Sequence, residues 1–564
     1  MQKKKNKLVP LLTEAGEKLV GTPWNVYPRP QMKRGKWLCL NGEWDFETES
    51  GKTKILVPFC PESVLSGYAG NIRYGEKLKY TRTFSVPDDW RGRVILHFGA
   101  VSRECEVKVN GTAVCTQDNA YLPFSADVTS ALKDGENTLQ VTAINDLSPD
   151  FPYGKQKKKR GGMWYTPVSG IWQTVWLEPV PENYIKSIKI ACDARGADIA
   201  LDGATDGVAI CDGDEYTIEN GRARIEPREP KLWSPEEPHL YEFTIRCGKD
   251  EISSYFALRT LTTETVGGVP RLCLNGKPYF MNGLLDQGYY SDGLYTPASP
   301  TIFENDILKM KSLGFNTLRK HIKIEPEQFY YDCDRLGMIV FQDMVNGGKY
   351  SFLRDTILPT MSFTKLSDKR RHKNAAYRRN FIAAAEETVK TLQNHPSIAL
   401  WTIFNEGWGQ FCADEMYERI KSLDGTRFVD STSGWFRQKK TDVDSLHIYF
   451  KRLRLGKRRE LPQLISEFGG YVYKVDEHSA NVNKTYGYKI FTSRERYVAA
   501  MRDLYVGEVL PLTREGLSGA ILTQLSDVED ETNGILTYDR KVMKITPHDD
   551  FDLLQIIQSA EAEK

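Results

Sequence analysis

After residue 266, strand-like runs alternate with helical stretches, and no other feature of the chain restricts its fold so tightly. Eight apolar runs of strand length occupy 279–283, 316–320, 338–343, 398–406, 427–432, 445–450, 463–468 and 518–525. Between several of them lie helical stretches, at 300–313, 325–336 and 375–393, with apolar residues three and four apart. Eight β/α repeats over roughly 300 residues are what a TIM barrel requires. The segment 265–564 is therefore expected to be a (β/α)8 barrel.

The preceding residues follow a different rule. From about 37 to 180, short runs such as LCLNGEWDF, RVILHFGAV, ECEVKVNGTAV and NTLQVTAIND alternate apolar and polar positions, with Asn-Gly pairs at 41–42 and 110–111 as expected turns. This predicts an antiparallel β-sandwich over 1–182. The basic run Lys155 to Arg160 interrupts it and reads as a solvated loop. A second set of strands over 183–264 has the size of an immunoglobulin-like sandwich. A length of 564 residues, with 40% apolar side chains, suits such a multidomain chain.

Charge narrows the partners. With 76 basic and 75 acidic residues the net charge is +1, so no overall field favours nucleic acid or an anionic membrane, and a neutral partner fits better. No apolar stretch reaches the roughly 18 residues needed to cross a bilayer. The opening MQKKKNKLVPLLTEAG is basic, but its apolar run is broken by Pro10 and too short for a signal core, so a cytoplasmic chain is expected. The ten cysteines lack CxxC spacing and read as reduced thiols. No metal cluster and no phosphate loop stands out, and no cofactor is expected.

In a barrel of this kind, polar residues that close an apolar strand stand at the active end. Glu406, in FNEGWG, closes the fourth strand and Glu467, in ISEFGG, closes the seventh. Cleavage of a glycosidic bond needs such a pair, one carboxyl to protonate the leaving oxygen and one to attack or to activate water. A lone glutamate after a strand is as often a plain surface charge. Asp286 after the first strand and Asp343 after the third stand at the same end, and each is either a hydroxyl-binding group or a loop acid. Trp408, just beyond Glu406, either stacks on a sugar face or packs within its loop. His447 shares a strand side with Tyr449 and either lines the pocket or is a satisfied histidine.

The blocks LNGEWDF (40–46), NHPSIALWTIFNEGWGQF (394–411) and LISEFGG (464–470) resemble those of glycoside hydrolase family 2, the β-galactosidase, β-glucuronidase and β-mannosidase group. The resemblance covers nearly the whole chain. It implies an N-terminal jelly roll, a central immunoglobulin-like sandwich and a catalytic barrel, with Glu406 as acid/base and Glu467 as nucleophile of a retaining exo-β-glycosidase. The carboxyls should then lie about 5–5.5 Å apart. It further implies that Asn405 binds the sugar 2-hydroxyl, that Tyr449 stands against the nucleophile, and that Arg319 and His321 lie near both. The stretch LRKHIK departs from the family's commoner arginine-serine-histidine order. Gln524 stands where the family usually has an aromatic platform, so the floor of the sugar site falls to another residue.

The sugar is expected to be a neutral hexoside, first a β-galactoside, because a buried uronate needs a cationic or amide clamp. Glucuronidases of the family resemble one another in an asparagine-spacer-lysine motif, whereas this chain has Asn481-Val482-Asn483-Lys484, one residue too long. Lys474 and Lys484 keep the glucuronide open as the alternative. A carbohydrate-binding protein without turnover is the competing class. The sandwiches offer faces on which a homo-oligomer would form its contacts.

Overall fold

The computed structural model describes residues 8–351, 353, 355 and 368–549. Among them no helix is long and apolar enough to cross a membrane, and all ten cysteines are free.

The N-terminal unit packs a six-stranded antiparallel sheet, with central strands Gly42–Thr48, Lys77–Ser85 and Glu136–Ile144, against a four-stranded one that includes Arg93–Phe98 and Val175–Val180. Alternation buries Trp44, Phe46, Tyr80, Val107 and Val141 between the sheets, each apolar side chain contributing about 1.5–3 kcal/mol. Asn110-Gly111 forms the expected two-residue hairpin turn, both residues at positive φ, between Glu104–Val109 and Thr112–Gln117. Asn41-Gly42 does not. Leu38–Cys39 pairs in one sheet and Gly42–Thr48 in the other, so the chain crosses between sheets there. The Asn41 side chain braces that crossing through Thr174 Oγ1 and the backbone N–H of Val175.

An immunoglobulin-like sandwich follows, with three strands facing four around Ile190, Ile199, Phe243, Ile245 and Ile252. A three-stranded antiparallel unit, Leu261–Val266, Val269–Leu274 and Lys277–Pro278, leads into the barrel. Arg271 donates to the carbonyls of Thr513 and Leu517 from beneath the last barrel strand.

The barrel strands are β1 (Met281–Asp286), β2 (Thr317–Lys320), β3 (Ile339–Asp343), β4 (Ile398–Asn405), β5 (Phe428–Ser433), β6 (Asp444–Ile448), β7 (Gln463–Gly469) and β8 (Leu517–Thr523). Their order is 5-4-3-2-1-8-7-6 with parallel neighbours, and β5 and β6 close the ring without a ladder between them. Met281, Leu285, Phe341, Leu400, Leu464 and Ile521 fill its interior. Helices α1 (Thr301–Ser312), α2 (Glu327–Leu336), α3 (Ala375–Leu392), α4 (Ala413–Leu423) and α5 (Arg494–Leu504) surround it. The eight-fold β/α alternation is incomplete, since residues 434–443 after β5 and 449–462 after β6 contain no helix. There the chain returns to the N-terminal end of the strands without a helix, the Asp442 N–H bonding to the Val429 carbonyl at 2.9 Å.

The basic run is more than a solvated loop. Lys157, Lys158 and Lys159 are exposed, but Gln156 is buried and Arg160 pairs with Asp530 (3.0 Å) and Glu529 (3.5 Å) from the loop after β8. Backbone bonds from Tyr153 and Gly154 to the Asn346 carbonyl, 3.1 and 3.0 Å, complete the attachment. The sandwich thereby reaches over the barrel mouth.

Candidate active site

β4 is apolar up to Phe404 except at Thr402 and closes on Asn405, after which Glu406 adopts a left-handed backbone with φ 53°. For a residue carrying a Cβ this costs about 1–2 kcal/mol. The Glu406 N–H bonds to the Ser433 carbonyl at the end of β5, 2.9 Å, and holds the turn. Gly407 follows at φ 71°, where a Cβ would approach the Phe436 ring to 2.2 Å. Sharp turning of this kind lifts the Glu406 carboxyl out of the strand.

Arg319 on β2 is fully buried and ties four strands together. Nε and Nη2 donate to the two oxygens of Asp343 on β3, 3.0 and 2.9 Å. Nη2 also donates to Asn405 Oδ1, 2.8 Å, and Nη1 to Glu467 Oε1, 3.2 Å, and to the Ser466 carbonyl, 3.0 Å. A planar guanidinium suits such a bidentate role, which a lysine could not fill. His321 Nδ1 meets Asp343 Oδ2 at 2.7 Å. Both Asp343 oxygens are thus engaged by protein groups. Burial lowers the imidazole of His321 to about 4, leaving it neutral near pH 7.

Glu467 on β7 is 5% exposed. Burial would raise its pKa, but His447, Arg319 and His321 and the donated hydroxyl of Tyr449 together bring it down to about 2. Tyr449 also meets Thr523 Oγ1 at 3.0 Å, and burial with the neighbouring Glu467 pushes its phenol well above the ordinary range, so it remains a donor. His447 Nδ1 is 2.9 Å from Glu406 Oε1 and 3.4 Å from Glu467 Oε2. Its Nε2 lies 3.0 Å from Ser433 Oγ and 3.4 Å from Arg319 Nη1. One oxygen of each glutamate and a ring nitrogen of His447 lie within 4.8 Å of one another, a set that has the donors to hold a metal ion.

Residues 68–172, 188–259 and 270–482 match, in that order, the descriptions glycosyl hydrolase 2 galactose-binding domain-like, glycosyl hydrolases family 2, and glycosyl hydrolases family 2, TIM barrel domain. The chain belongs to glycoside hydrolase family 2. A β-galactosidase of Aeromonas hydrophila subsp. hydrophila is 30% identical over 403 residues, 64% of this chain and 36% of its own length. A putative β-glucuronidase of Formosa agariphila is 24% identical over 438 residues, 72% of this chain and 38% of its own length. The chain therefore spans well under half the length of these curated relatives. The fold is similar to that of a β-D-glucuronidase from Dictyoglomus thermophilum (TM-score 0.74, 18% identity, 95% of this chain and 98% of that one). It is also similar to a β-galacturonidase of family 2 from Eisenbergiella tayi bound to galacturonate (TM-score 0.68, 22% identity, 94% and 98%).

Within this family 2 barrel, Glu406, Glu467, Asn405, Arg319, His321, Asp343, His447 and Tyr449 form one connected network. Two of the sequence candidates stand outside it. Asp286 accepts from Lys320 Nζ and from the Gly288 N–H, within a separate buried cluster that includes Glu325 and Lys323. Trp408 is buried against Trp164 (5.1 Å) and Tyr153 (5.6 Å) of the sandwich loop, the loop-packing alternative. Gln524 is fully buried, held by Gln287 Nε2 at 2.9 Å and donating to Asn533 Oδ1 at 2.8 Å. The Lys474 ammonium is bound to the Val482 carbonyl, 2.6 Å, and Asn481 to Asp530, 2.7 Å.

Sequence reasoning missed several neighbours. Ser433 closes β5 and was open to the same strand-end rule that found the glutamates. Glu531 gave no signal. It follows β8 in an acidic loop, yet it is 5% exposed, accepts from Tyr165 of the sandwich, and is raised by burial although Lys155 lies close enough to lower it. Tyr488 comes from the long connection after β7 and stacks on Tyr449 at 4.0 Å.

Proposed function

We propose that this chain is a retaining exo-β-glycosidase in which Glu467 attacks the anomeric carbon and Glu406 first protonates the leaving oxygen, then activates water. The observation that carries this reading is the separation of the two carboxyls, one oxygen of each within 4.8 Å of the other. Retaining pairs stand about 5–5.5 Å apart, whereas inverting pairs leave about 6.5–9.5 Å for a water. Electrostatics supports the division of roles. Glu467 is held ionised by His447, Arg319 and the hydroxyl of Tyr449, as a nucleophile must be. Glu406 is more open, its side chain 22% exposed, as a group serving both a leaving alcohol and an incoming water must be. With Oδ1 of Asn405 engaged by Arg319, its amide nitrogen is the group it offers to a sugar 2-hydroxyl. Arg319 and His321 position these groups, and Asp343 acts through them. Proton NMR of the first-formed sugar tests the reading. The β-anomer is expected, and initial release of the α-anomer would overturn retention.

For the sugar we favour a neutral hexoside, first a β-galactoside. Glu531 adds a third carboxylate close to Glu467, which would repel a uronate, and Lys474 and Asn481 are already engaged. Lys155 supports a uronide as the second reading, because this half-buried cation from the sandwich loop approaches both His321 and Glu531. The comparison is kcat/KM on nitrophenyl β-galactoside against the glucuronide and galacturonide. A tenfold preference for either uronide would reverse the choice.

A further inference from the structure

The leaving group of a glycosidase lies on the side of its acid, so whatever lines the path from Glu406 to solvent meets the aglycone. Three rings form a continuous path outward. Tyr449, whose hydroxyl is bound to Glu467, stacks on Tyr488 with centroids 4.0 Å apart and planes at 24°. Tyr488 meets Phe450 edge-on, 4.9 Å apart at 84°. Phe450 is 82% exposed, unusual for a large apolar side chain beside a polar cleft.

Tyr488 is fixed in place. Its N–H bonds to the Gly470 carbonyl, 3.0 Å, and its ring lies where a Cβ on Gly470 would approach to 2.2 Å. The short strands Tyr471–Tyr473 and Lys489–Phe491 pair on either side of the connection and hold it closed. Tyr488 also lies within electrostatic reach of Glu406 and then Glu467, which add to burial in raising its phenol. Through Tyr449, on which it stacks and whose hydroxyl is bound to Glu467 Oε2, it adjoins the carboxylate pair, since His447 Nδ1 lies 3.4 Å from that oxygen and 2.9 Å from Glu406 Oε1.

Resting on the glycosidase reading, we propose that Tyr488 and Phe450 form a +1 subsite for a flat aromatic aglycone, making the substrate a β-glycoside of a phenol or a similar planar apolar alcohol. Two rings near a right angle make a corner in which a planar molecule stacks on one wall and meets the other edge-on. A second sugar would bring a rim of hydroxyls that need polar partners once desolvated. Phe450 has none to offer.

The test compares kcat/KM on a 2-naphthyl β-glycoside with that on a disaccharide carrying the same terminal sugar, in wild type and Phe450→Ala, choosing the sugar cleaved best as its nitrophenyl glycoside. Because Phe450 is exposed, the variant is expected to fold. Its naphthyl-to-disaccharide ratio should fall about tenfold, chiefly through KM on the naphthyl substrate, the size of one lost aromatic contact, and Phe450→Trp should restore it. A ratio that stays level or rises in Phe450→Ala would overturn the subsite while leaving the glycosidase reading intact. A wild type that cleaves neither substrate would overturn both.

Discussion

Arg319 carries more of the site than its single charge suggests. It is buried among Asp343, Glu467 and Asn405, so removing it leaves two carboxylates without their counter-ion at a cost of about 3–5 kcal/mol. Arg319→Lys keeps the charge but loses the fork, and a drop in kcat of at least about a hundredfold is expected; a loss under tenfold would remove Arg319 from its positioning role. The pH profile follows from Glu467. A carboxylate whose folded pKa is lowered stays ionised until the pH falls through that value, here about 2. Since kcat/KM reports the free enzyme, it should stay flat from pH 6 down to about pH 4 as far as Glu467 is concerned. An acid limb centred above about pH 5 that Tyr449→Phe moves further upward would assign that limb to Glu467 and contradict the lowered value. Glu406 answers to a different probe. Glu406→Ala should lose far more rate on glycosides with poor leaving groups than on dinitrophenyl glycosides, which need no acid. Equal losses would take Glu406 out of that role.

Among the elements, the loop from 151 to 168 has the largest effect on the site for its size. It brings Tyr165 to Glu531, Thr166 N–H to Glu529 at 2.8 Å and Arg160 to both Glu529 and Asp530. Burial raises Glu529 to about 7 against the opposing pull of Arg160. A carboxyl whose folded pKa is raised binds more protons folded than unfolded between about pH 4.3 and 7, so its contribution to stability falls as pH rises through that window. Glu529→Gln keeps an acceptor for Thr166 and removes the ionisation. It should raise the melting temperature at pH 8 and change it little at pH 5. A loss of stability at pH 8 would mean that the ion pair with Arg160 outweighs burial. This loop also shows where sequence reading stops. Barrel strands and their terminal glutamates were legible because periodicity and strand ends are local properties. Tyr165, Glu531 and Tyr488 were not, because what brings them to the mouth is packing between separate segments, 366 residues apart for Tyr165 and Glu531 and tens of residues apart for Tyr449 and Tyr488, and nothing in the runs around them marks that. Asn41-Gly42 had the composition of a hairpin turn and became a crossing between sheets, because its flanking strands found different partners.

At the scale of the whole molecule, the sandwich, the immunoglobulin-like unit and the barrel share one design, in which the barrel supplies the carboxylates and the sandwich roofs the mouth. The order of the three units was legible in the chain's changing periodicity, and the motifs FNEGWG and ISEFGG marked the two glutamates. The bonding of the site was less so. Asp286 has the right position along its strand but is claimed by Lys320, a partner that only the folded barrel brings to it. In Glu467→Ala the cavity left by the carboxylate admits a small anion, so turnover should vanish and added azide should restore slow cleavage of a dinitrophenyl β-glycoside, with the α-glycosyl azide as product. A variant that keeps more than a few per cent of the wild-type rate without azide, or that yields the β-azide, would contradict the assignment of Glu467 as nucleophile.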